Sequence, residues 1–346
     1  MIVIVLYILL ALLVFGAIIF IHELGHFLTA RACGVGVNEF AIGMGPKIFS
    51  RVSSKSGIRY SLRLLPMGGF VSMVGEDEES SADNAFGNVS VWKRMIIIVS
   101  GAAMNLLLGL LIMLVIVSSS ELLPTTIVAS FKDTAISDES GLMIEDRIIK
   151  VENRRVYTGY DLSYEIMNRG YKAIDLTVIR NGEKTVLENV VFNTVTESGV
   201  SLGETDFSVL GIEKNFAEVI KHTWVRSVSS VRMVWESLVG LISGRYGVDA
   251  VSGPVGMTEV IGDAARSGRN VFLHACALIT INLGVINLLP VPALDGGRFV
   301  FMLIEAIRRK PVKKEVESYI HFIGIVVLFA LMIAISLKDV WSIFTK

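Results

Sequence analysis

The stretch His22-Glu23-Leu24-Gly25-His26 contains side chains at the spacing of a zinc site. On a helix, residues four positions apart lie on one face, so both imidazoles can bind a single ion. Glu23 is then placed to take a proton from the attacking water as a general base. Two helical histidines can also be satisfied core residues, but Glu23 would then need its own partner in an apolar environment. The pattern favours a metal site.

A catalytic zinc site has three protein ligands, and Asp295 is the candidate for the third. It is the only acidic residue between Asp263 and Glu305, and it follows an apolar run and two prolines that would end a helix. An aspartate before two glycines is more commonly a cap or turn residue. The acidic run at residues 76–79 offers other carboxylates, but a run of adjacent charges is interpreted as solvated surface.

The composition of the chain indicates a membrane protein. Of its 346 residues, 52% are hydrophobic and only 19% are charged, and the mean hydropathy is +0.61. A chain with these values is too apolar to be an ordinary soluble domain. The net charge of -1 and the lack of a long basic run exclude a nucleic-acid partner. Cys33 and Cys276 lie far apart beside apolar segments, so no disulfide framework is predicted.

Four segments are long and apolar enough to cross about 30 Å of hydrocarbon as helices. They are Ile2 to about Phe27, Met95 to Val117, Val271 to Leu289, and Tyr319 to Leu337. A cleaved signal peptide is the alternative for the first, but no basic residue precedes its apolar run. We therefore predict an α-helical polytopic membrane protein with four transmembrane helices, divided into membrane halves at 1–117 and 271–346.

Basic residues indicate the orientation of these spans. They are concentrated between the first and second spans and between the third and fourth, which predicts that both connections are cytoplasmic. The long segment 118–270 and both termini are then extracytoplasmic. His22 and His26 lie at the cytoplasmic end of the first span, and Asp295 lies at that of the third. This shared depth favours the metal interpretation of Asp295 over the turn interpretation.

The extracytoplasmic segment divides into two parts. Residues 118–200 contain short β-prone runs and an Asn181-Gly182 hairpin signal, which predict a small α+β module. Within residues 201–270, apolar residues recur every three or four positions from Phe216 to Ile242, as in an amphipathic helix. Its tryptophans and basic residues suit a membrane surface. Packing of the apolar stripe on the module is the alternative.

A third extended segment lies between the first two spans. Residues 58–75 contain two β-prone runs around a turn-forming sequence, PMGG, at 66–69, which predicts a β-hairpin. A surface hairpin is one interpretation. The apolar content also suits an edge strand near the membrane that pairs with another extended chain.

At membrane depth, the carbonyl group that a zinc-activated water usually attacks is that of a peptide bond. A helical peptide must first unwind, and an edge strand or side-chain amides near the metal would hold it extended. Asn282 and Asn287 on the third span can offer such hydrogen bonds. Hydrogen bonding between helices is an equally ordinary role for both.

The chain resembles the site-2 protease family of intramembrane zinc metalloproteases, and within it the bacterial regulator of sigma-E protease type. The motifs that carry the resemblance are HELGH at 22–26, LPMGGFV at 65–71, SGPVGM at 252–257 and NLLPVPALDGG at 287–297. Residues 140–156, SGLMIEDRIIKVENRRV, look like the start of a bacterial PDZ domain. The match runs from end to end of the chain.

The resemblance implies a role for each candidate residue. The implied zinc ligands are His22, His26 and Asp295, and the implied general base is Glu23. Substrate would be bound by the asparagines on the third span and by the segment 58–75, acting as a membrane-associated β-loop. The implied substrate-binding residues are Asn282, Asn287, Gly68, Gly69 and Phe70.

The resemblance also implies a cellular role. Such enzymes reside in the bacterial inner membrane and cleave the transmembrane segments of single-span proteins. Their substrates are anti-sigma factors already trimmed by an upstream site-1 protease, or remnant signal peptides, with the PDZ domain controlling access. The best-known members of this type have two tandem PDZ domains, whereas residues 118–200 have room for one, which puts a size-exclusion role for paired domains in doubt.

Two other functions are compatible with these patterns. One is a non-catalytic membrane scaffold whose PDZ domain binds peptide termini and whose metal is structural. A structural zinc is normally held by four protein ligands, and the sequence offers three. The other is a zinc protease acting on soluble extracytoplasmic substrates, which requires the histidines to lie outside.

Overall fold

The computed structural model describes residues 2–76, 80–197, 200–247 and 251–345. The chain forms two compact units. The first contains Met1–Gly109 together with Ser252–Lys346, and the second contains Leu110–Val251. The described part of the chain contains eight α-helices and several small sheets, so the fold combines apolar helices with α+β elements.

Four helices are long and apolar enough to cross a membrane. They are α1 (Ile2–Ala32), α2 (Val91–Ser119), α6 (Arg269–Asn287) and α8 (Lys314–Thr345). The corresponding candidate spans are Val5–Ala32, Val91–Ser119, Arg269–Asn287 and Lys314–Trp341. The four predicted spans are thus confirmed as apolar helices. Three of them, α1, α2 and α8, are longer than predicted because residues that flank the apolar runs are also helical, whereas α6 begins and ends two residues earlier than predicted.

Two shorter helices complete the helical part of the first unit. The helix α5 covers Pro254–Ser267, and α7 covers Asp295–Arg308. The break between α6 and α7 contains Pro290 and Pro292, which lack the N–H that an α-helix requires. The predicted helix end before these prolines is confirmed, because α6 stops at Asn287.

The first unit also contains a two-stranded sheet. Its strands are β1 (Val37–Val52) and β2 (Arg59–Met73), and a short 3-10 helix, Phe86–Asn88, follows. The prediction that the two halves of residues 58–75 pair with each other is wrong. Both halves pair with β1 instead, since Phe40 lies opposite Val71 and also opposite Tyr60.

The bend in β2 has a backbone cause. Gly68 adopts a φ of +85°, which favours glycine, and lets β2 turn while staying in the sheet. The turn that connects β1 to β2 lies at residues 53–58, where the backbone N–H of Ser53 donates a hydrogen bond of 2.9 Å to the carbonyl oxygen of Ile58. The segment therefore supplies one bent strand, and β1 supplies its partner.

A charged cluster joins the two strands. Glu39 on β1 accepts hydrogen bonds from Ser61 (2.6 Å), Arg63 (3.0 Å) and Lys47 (3.2 Å). Burial opposes ionisation of this carboxyl, but the hydrogen bonds from these three groups outweigh it and lower the pKa of Glu39 to about 2. The carboxylate is therefore charged at neutral pH and ties β1 to β2.

The second unit is an α+β module. Its strands are β3 (Leu122–Phe131), β4 (Arg147–Val151), β5 (Arg154–Arg155), β6 (Ile174–Arg180), β7 (Glu183–Val190), β8 (Asn193–Glu197), β9 (Val200–Glu204) and β10 (Phe207–Glu213). They form a six-stranded sheet of order β10-β3-β4-β6-β7, with β5 paired to β4, and β8 pairs separately with β9. Because β10 pairs with β3, the sheet of the module continues past residue 200, the predicted C-terminal boundary of the module.

The module is built around one apolar core. The helix α3 (Gly159–Arg169) packs Leu162 and Ile166 against buried strand residues such as Ile148. Thr158 and Asp161 form a capping box that begins this helix. The predicted Asn181-Gly182 hairpin is confirmed, since both residues have positive φ values and join β6 to β7.

The predicted amphipathic helix is confirmed as α4 (Phe216–Ile242). Its polar face contacts α3, where Glu236 accepts hydrogen bonds from Tyr164 (2.6 Å) and Asn168 (2.7 Å). The apolar stripe faces outward, with Phe216, Trp224 and Trp235 all exposed. The alternative in which this stripe packs on the module is therefore wrong for the residues that the structure describes.

Candidate metal centre

The last turns of α1 present the HExxH side chains toward the interior of the first unit. His22 and His26 are each only 7% exposed, and their Nε2 atoms lie 3.2 Å apart. The spacing of four residues places the two rings one above the other on one helix face. The two nitrogens are therefore close enough to bind the same ion.

Asp295 lies at the first position of α7 and completes the group. Its Oδ2 atom is 3.1 Å from His22 Nε2 and 3.4 Å from His26 Nε2. Among the described residues, these three are the group whose ligand atoms could hold a metal ion. The structure thus brings together the two histidines of one apolar helix and the carboxylate that follows another.

The geometry of these atoms fits a zinc ion. With zinc–ligand bonds of about 2.0–2.1 Å, two ligand atoms of a tetrahedral site lie roughly 3.3 Å apart. The three observed separations, 3.1, 3.2 and 3.4 Å, match this value. Two imidazoles and one carboxylate are also a donor set that zinc favours, and three protein ligands leave a fourth position open.

The hydrogen bonds of the imidazoles support the same conclusion. His26 Nδ1 lies 2.8 Å from the carbonyl oxygen of Ile97, so Nδ1 must carry the proton and Nε2 presents a lone pair. Oδ2 of Asp295 is buried and accepts no hydrogen bond from the described residues. Lone pairs facing one another at this separation repel unless a cation lies between them. The cluster is therefore suited to hold a cation.

Asn105 on α2 orients the other imidazole. Its Nδ2 lies 3.3 Å from His22 Nδ1, while its Oδ1 is buried and has no partner among the described residues. Rotating the amide by 180° is sterically equivalent and places Oδ1 at Nδ1. His22 Nδ1–H then donates to the amide oxygen, which leaves Nε2 free for the metal.

Two glycines allow α1 and α2 to approach closely at the centre. A Cβ atom on Gly25 would lie 2.4 Å from the carbonyl oxygen of Ser100. A Cβ atom on Gly101 would lie 2.4 Å from His26 Nε2 and 2.8 Å from His22 Cε1. Small residues at helix contacts are the means by which apolar helices pack closely. The imidazoles therefore occupy space that any larger residue at position 101 would fill.

The loop before Asp295 is held against α8. Ala293 adopts a φ of +78°, a left-handed conformation that non-glycine residues seldom adopt. Its backbone N–H donates to Nδ1 of His321 on α8 at 3.0 Å. The backbone of Pro292 also packs directly on Gly324, where a Cβ would lie 2.7 Å from the proline carbonyl carbon. These contacts fix the strained loop that leads into α7, on which the third candidate ligand lies.

A cavity of about 400 Å³ opens onto the cluster. Its lining consists of His22, Glu23, His26, Phe70, Val71, Ser72, Met73, Glu76, Ile98, Asp295 and Arg298. Glu23 therefore shares one space with the three candidate ligands and with the second half of β2. A carboxylate in this position can exchange a proton with a water or substrate bound in the cavity.

The predicted substrate-binding residues lie at different places relative to this cavity. Phe70 lines it, and a Cβ on Gly69 would lie 3.2 Å from Glu23 Cγ, so both positions border the centre. Gly68 forms the bend of β2 and faces Met44. Asn282 and Asn287 are partly exposed on α6 and are not among the described residues that line the cavity.

Sequence reasoning missed several residues of the centre. The interpretation of the acidic run as solvated surface is wrong for Glu76, which lines the cavity and pairs with Arg298; residues 77–79 lie outside the described part of the chain. Asn105 could have been found, because it is the only amide in the apolar segment 95–117. His321 carries no comparable signal, since its role depends on how α8 packs.

Comparisons with known proteins agree with this geometry. The model of peptidase family M50 matches residues 10–331. A protein of Clostridium acetobutylicum named as a predicted zinc metalloprotease is 35% identical over 335 residues, covering 96% of this chain and 97% of the relative. The regulator of sigma-W protease RasP of Bacillus subtilis is 28% identical over 415 aligned positions, covering 96% and 98%. The zinc metalloprotease RasP of Geobacillus kaustophilus is 28% identical over 417 positions, covering 96% and 97%.

Proposed function

The chain belongs to peptidase family M50 and is a zinc metalloprotease, and we propose that it is an intramembrane endopeptidase that cleaves the transmembrane segments of single-span membrane proteins. One observation carries this proposal. The candidate ligands meet where α1 ends and where α7 begins, after the break that follows α6, and both α1 and α6 are long and apolar enough to cross a membrane. A peptide bond that reaches Glu23 must therefore come from a segment at or near membrane depth.

In the proposed mechanism, His22, His26 and Asp295 hold the zinc and Glu23 moves the proton. The bound ion would polarise the scissile carbonyl and lower the pKa of the attacking water. Glu23 accepts the proton of that water and later gives it to the leaving amine, as general base and then general acid. Asn105 and the Ile97 carbonyl keep the imidazole Nε2 atoms directed at the ion.

We propose that β2 presents the substrate in extended form. The segment 69–73 pairs with β1 along one edge, and no other strand of the described chain pairs with its second edge. Residues 70–73 of the same segment line the cavity beside Glu23. An unwound substrate can add to the free edge as a strand, which supplies backbone hydrogen bonds for a peptide of almost any sequence. Gly68, Gly69 and Phe70 keep their predicted substrate-binding roles in this proposal.

Asn282 and Asn287 remain proposed substrate contacts, although neither is among the described residues that line the cavity. Both side chains lie on α6, the helix that precedes the loop before Asp295. Their partial exposure leaves amide groups available to a peptide that approaches along this helix. An unwinding substrate exposes backbone groups that such amides can satisfy.

We propose that the metal centre lies on the cytoplasmic side of a bacterial inner membrane and that the α+β module is an extracytoplasmic PDZ domain. The distribution of basic residues supports this orientation. A six-stranded sheet covered by α3 is compatible with a PDZ domain. The outward apolar face of α4 supports its placement on the membrane surface. Labelling of Cys33 by a membrane-impermeant thiol reagent tests the orientation, because labelling from the extracytoplasmic side alone contradicts it.

The physiological substrates follow from the same proposal. One matched relative is named a regulator of sigma-W protease, which supports anti-sigma factors as substrates. We propose that an upstream site-1 protease first removes the extracytoplasmic part of each substrate, after which the PDZ domain admits the remainder. Remnant signal peptides are the second substrate class, because they are already short.

The decisive experiment compares Glu23→Gln with the wild type in proteoliposomes that contain a single-span model substrate. Loss of a general base is expected to reduce cleavage by about 10²- to 10⁴-fold, while zinc content stays equal to that of the wild type. Asp295→Asn is the companion variant, and it should lose zinc as well as activity. Undiminished cleavage by Glu23→Gln with zinc retained would refute the catalytic assignment.

The scaffold alternative receives less support from the structure. A structural zinc is normally closed by four protein ligands. The described residues offer one cluster of three, open to a cavity that also contains Glu23. That arrangement suits a reaction rather than a closed structural site.

A further inference from the structure

Two charged residues in the cavity have no role in the proposed chemistry. Glu76 and Arg298 line the same space as the candidate ligands, and their side chains form an ion pair between Oε1 and Nη1. The Glu76 side chain is only 12% exposed. A carboxylate this well removed from solvent needs a compensating partner, so the pair is not an incidental surface contact.

The Glu76 carboxylate connects two parts of the first unit. Its Oε2 accepts a hydrogen bond from the backbone N–H of Met73, the last residue of β2, at 3.4 Å. Its Oε1 is paired with Arg298 on α7. The end of the strand that borders the cavity is therefore tied through one side chain to a helix.

That helix is the one that carries the third candidate ligand. Arg298 lies three residues after Asp295, so both side chains lie on the same face of the first turn of α7. The link runs from Met73 through Glu76 to Arg298 by side-chain contacts, and from Arg298 to Asp295 through the backbone of α7. A displacement of β2 along its own axis would have to break one of these contacts.

We propose that the Glu76–Arg298 pair is a positioning device that sets the register of an extended substrate against the metal centre. This inference rests on the proposed intramembrane protease function and on strand addition to β2. A substrate paired with β2 advances about 3.3 Å per residue. Without the pair, small shifts of β2 relative to Asp295 bring neighbouring peptide bonds within reach of Glu23. The pair therefore selects which bond is cleaved, and neither residue takes part in the chemistry.

The test maps cleavage positions by mass spectrometry for a single-span model substrate in proteoliposomes. The variants are Glu76→Gln, which keeps the size and the acceptor for Met73, and Arg298→Gln, which removes the cation. We expect both to retain the zinc content of the wild type and to add products cut one or two residues from the main site. The double variant Glu76→Gln with Arg298→Gln should add no more products than either single variant, because both substitutions remove the same contact.

Glu305→Gln is the matched control. Glu305 lies on the same helix and pairs through both oxygens with Arg94 (2.6 and 3.1 Å), but neither residue is among those that line the cavity. Its loss should affect helix packing without adding cleavage positions. New products from this control variant, or unchanged products from both Glu76→Gln and Arg298→Gln, would overturn the positioning role.

The experiment distinguishes failure of the proposed protease function from failure of the register inference. If the wild-type protein does not cleave the membrane-embedded substrate at all, the proposed function fails. If the wild type cleaves at one bond and both single variants cleave only at that bond, the proposed function stands and the register inference fails. Loss of zinc in the Glu76→Gln and Arg298→Gln variants would also overturn it, because the pair would then be shaping the metal centre itself.

Discussion

Replacement of Gly101 by alanine is the sharpest test of how the centre is assembled. The new Cβ would lie 2.4 Å from His26 Nε2, 2.7 Å from His26 Cε1 and 2.8 Å from His22 Cε1. Atoms of this kind make favourable contact at about 3.5–4.0 Å. The overlap is thus about 1 Å and falls on the nitrogen that would bind the metal.

The imidazoles have little freedom to relieve this overlap. His26 Nδ1 is held by the Ile97 carbonyl at 2.8 Å, and Ile97 lies on the same helix as position 101. Relief must therefore come from a shift of α1 against α2 or from rotation of the ring. Metal–ligand distances tolerate only about 0.2 Å, and a 1 Å misplacement of catalytic groups costs on the order of 100-fold in rate.

We expect Gly101→Ala to weaken zinc affinity by about 10- to 100-fold and to lower cleavage of a single-span substrate by about 100-fold. Overpacking of this size costs about 1–3 kcal/mol, so the protein should still fold. Zinc affinity is measured by competition with a chromogenic chelator, and folding by thermal unfolding in detergent.

Gly109→Ala is the matched control for this experiment. A Cβ there would lie 2.4 Å from Cγ1 of Ile281, so the nominal overlap is the same and the helix is the same. The neighbour is an aliphatic side chain rather than a candidate ligand. Equal zinc affinity in Gly101→Ala and Gly109→Ala would refute the claim that Gly101 makes room for the imidazoles.

Three further predictions concern two residues that support the centre and one carboxylate that joins β1 to β2. Asn105→Leu should weaken zinc affinity by about 10- to 100-fold, because Nδ1 of His22 loses its partner; unchanged affinity in chelator competition would contradict this role. His321→Leu should lower zinc affinity because the Ala293 N–H loses its acceptor, and His321→Asn should restore part of it; equal values for the two variants would argue against the hydrogen bond. The pKa of Glu39 falls from 4.5 to about 2 on folding, so its contribution to stability is present above pH 4.5 and is lost as the pH falls toward 2. Thermal unfolding across this range should show a smaller loss for Glu39→Gln than for the wild type, and identical pH profiles would contradict the prediction.

Local patterns predicted the elements of this fold well where the periodicity was long or the turn chemistry specific. The four apolar segments appear as α1, α2, α6 and α8, since about twenty apolar residues satisfy their backbone only as a helix in lipid. The Asn181-Gly182 turn was equally predictable, because few residues tolerate positive φ at both positions. The amphipathic period also placed α4 correctly.

Pairing between distant segments was less predictable. The turn-forming sequence at 66–69 suggested a local hairpin, yet both halves of β2 pair with β1. A glycine-rich turn permits a bend but does not specify which strand lies beside it. For the same reason, the pattern of residues 201–213 did not reveal that β10 closes the sheet of the module against β3.

The sequence by itself predicted the chemistry of this protein, that of a zinc metalloprotease, and the apolar helices that accompany it. An HExxH motif at the end of an apolar helix, and an aspartate after a proline-broken helix, are local features that indicate candidate ligands and a candidate general base. Only the tertiary structure decided how these groups are held: Gly101 clears space for the rings, Asn105 and His321 support the ligands, and Glu76 joins Arg298 in the cavity. Each of these contacts joins residues far apart along the chain, so its existence depends on the packing of whole helices and strands.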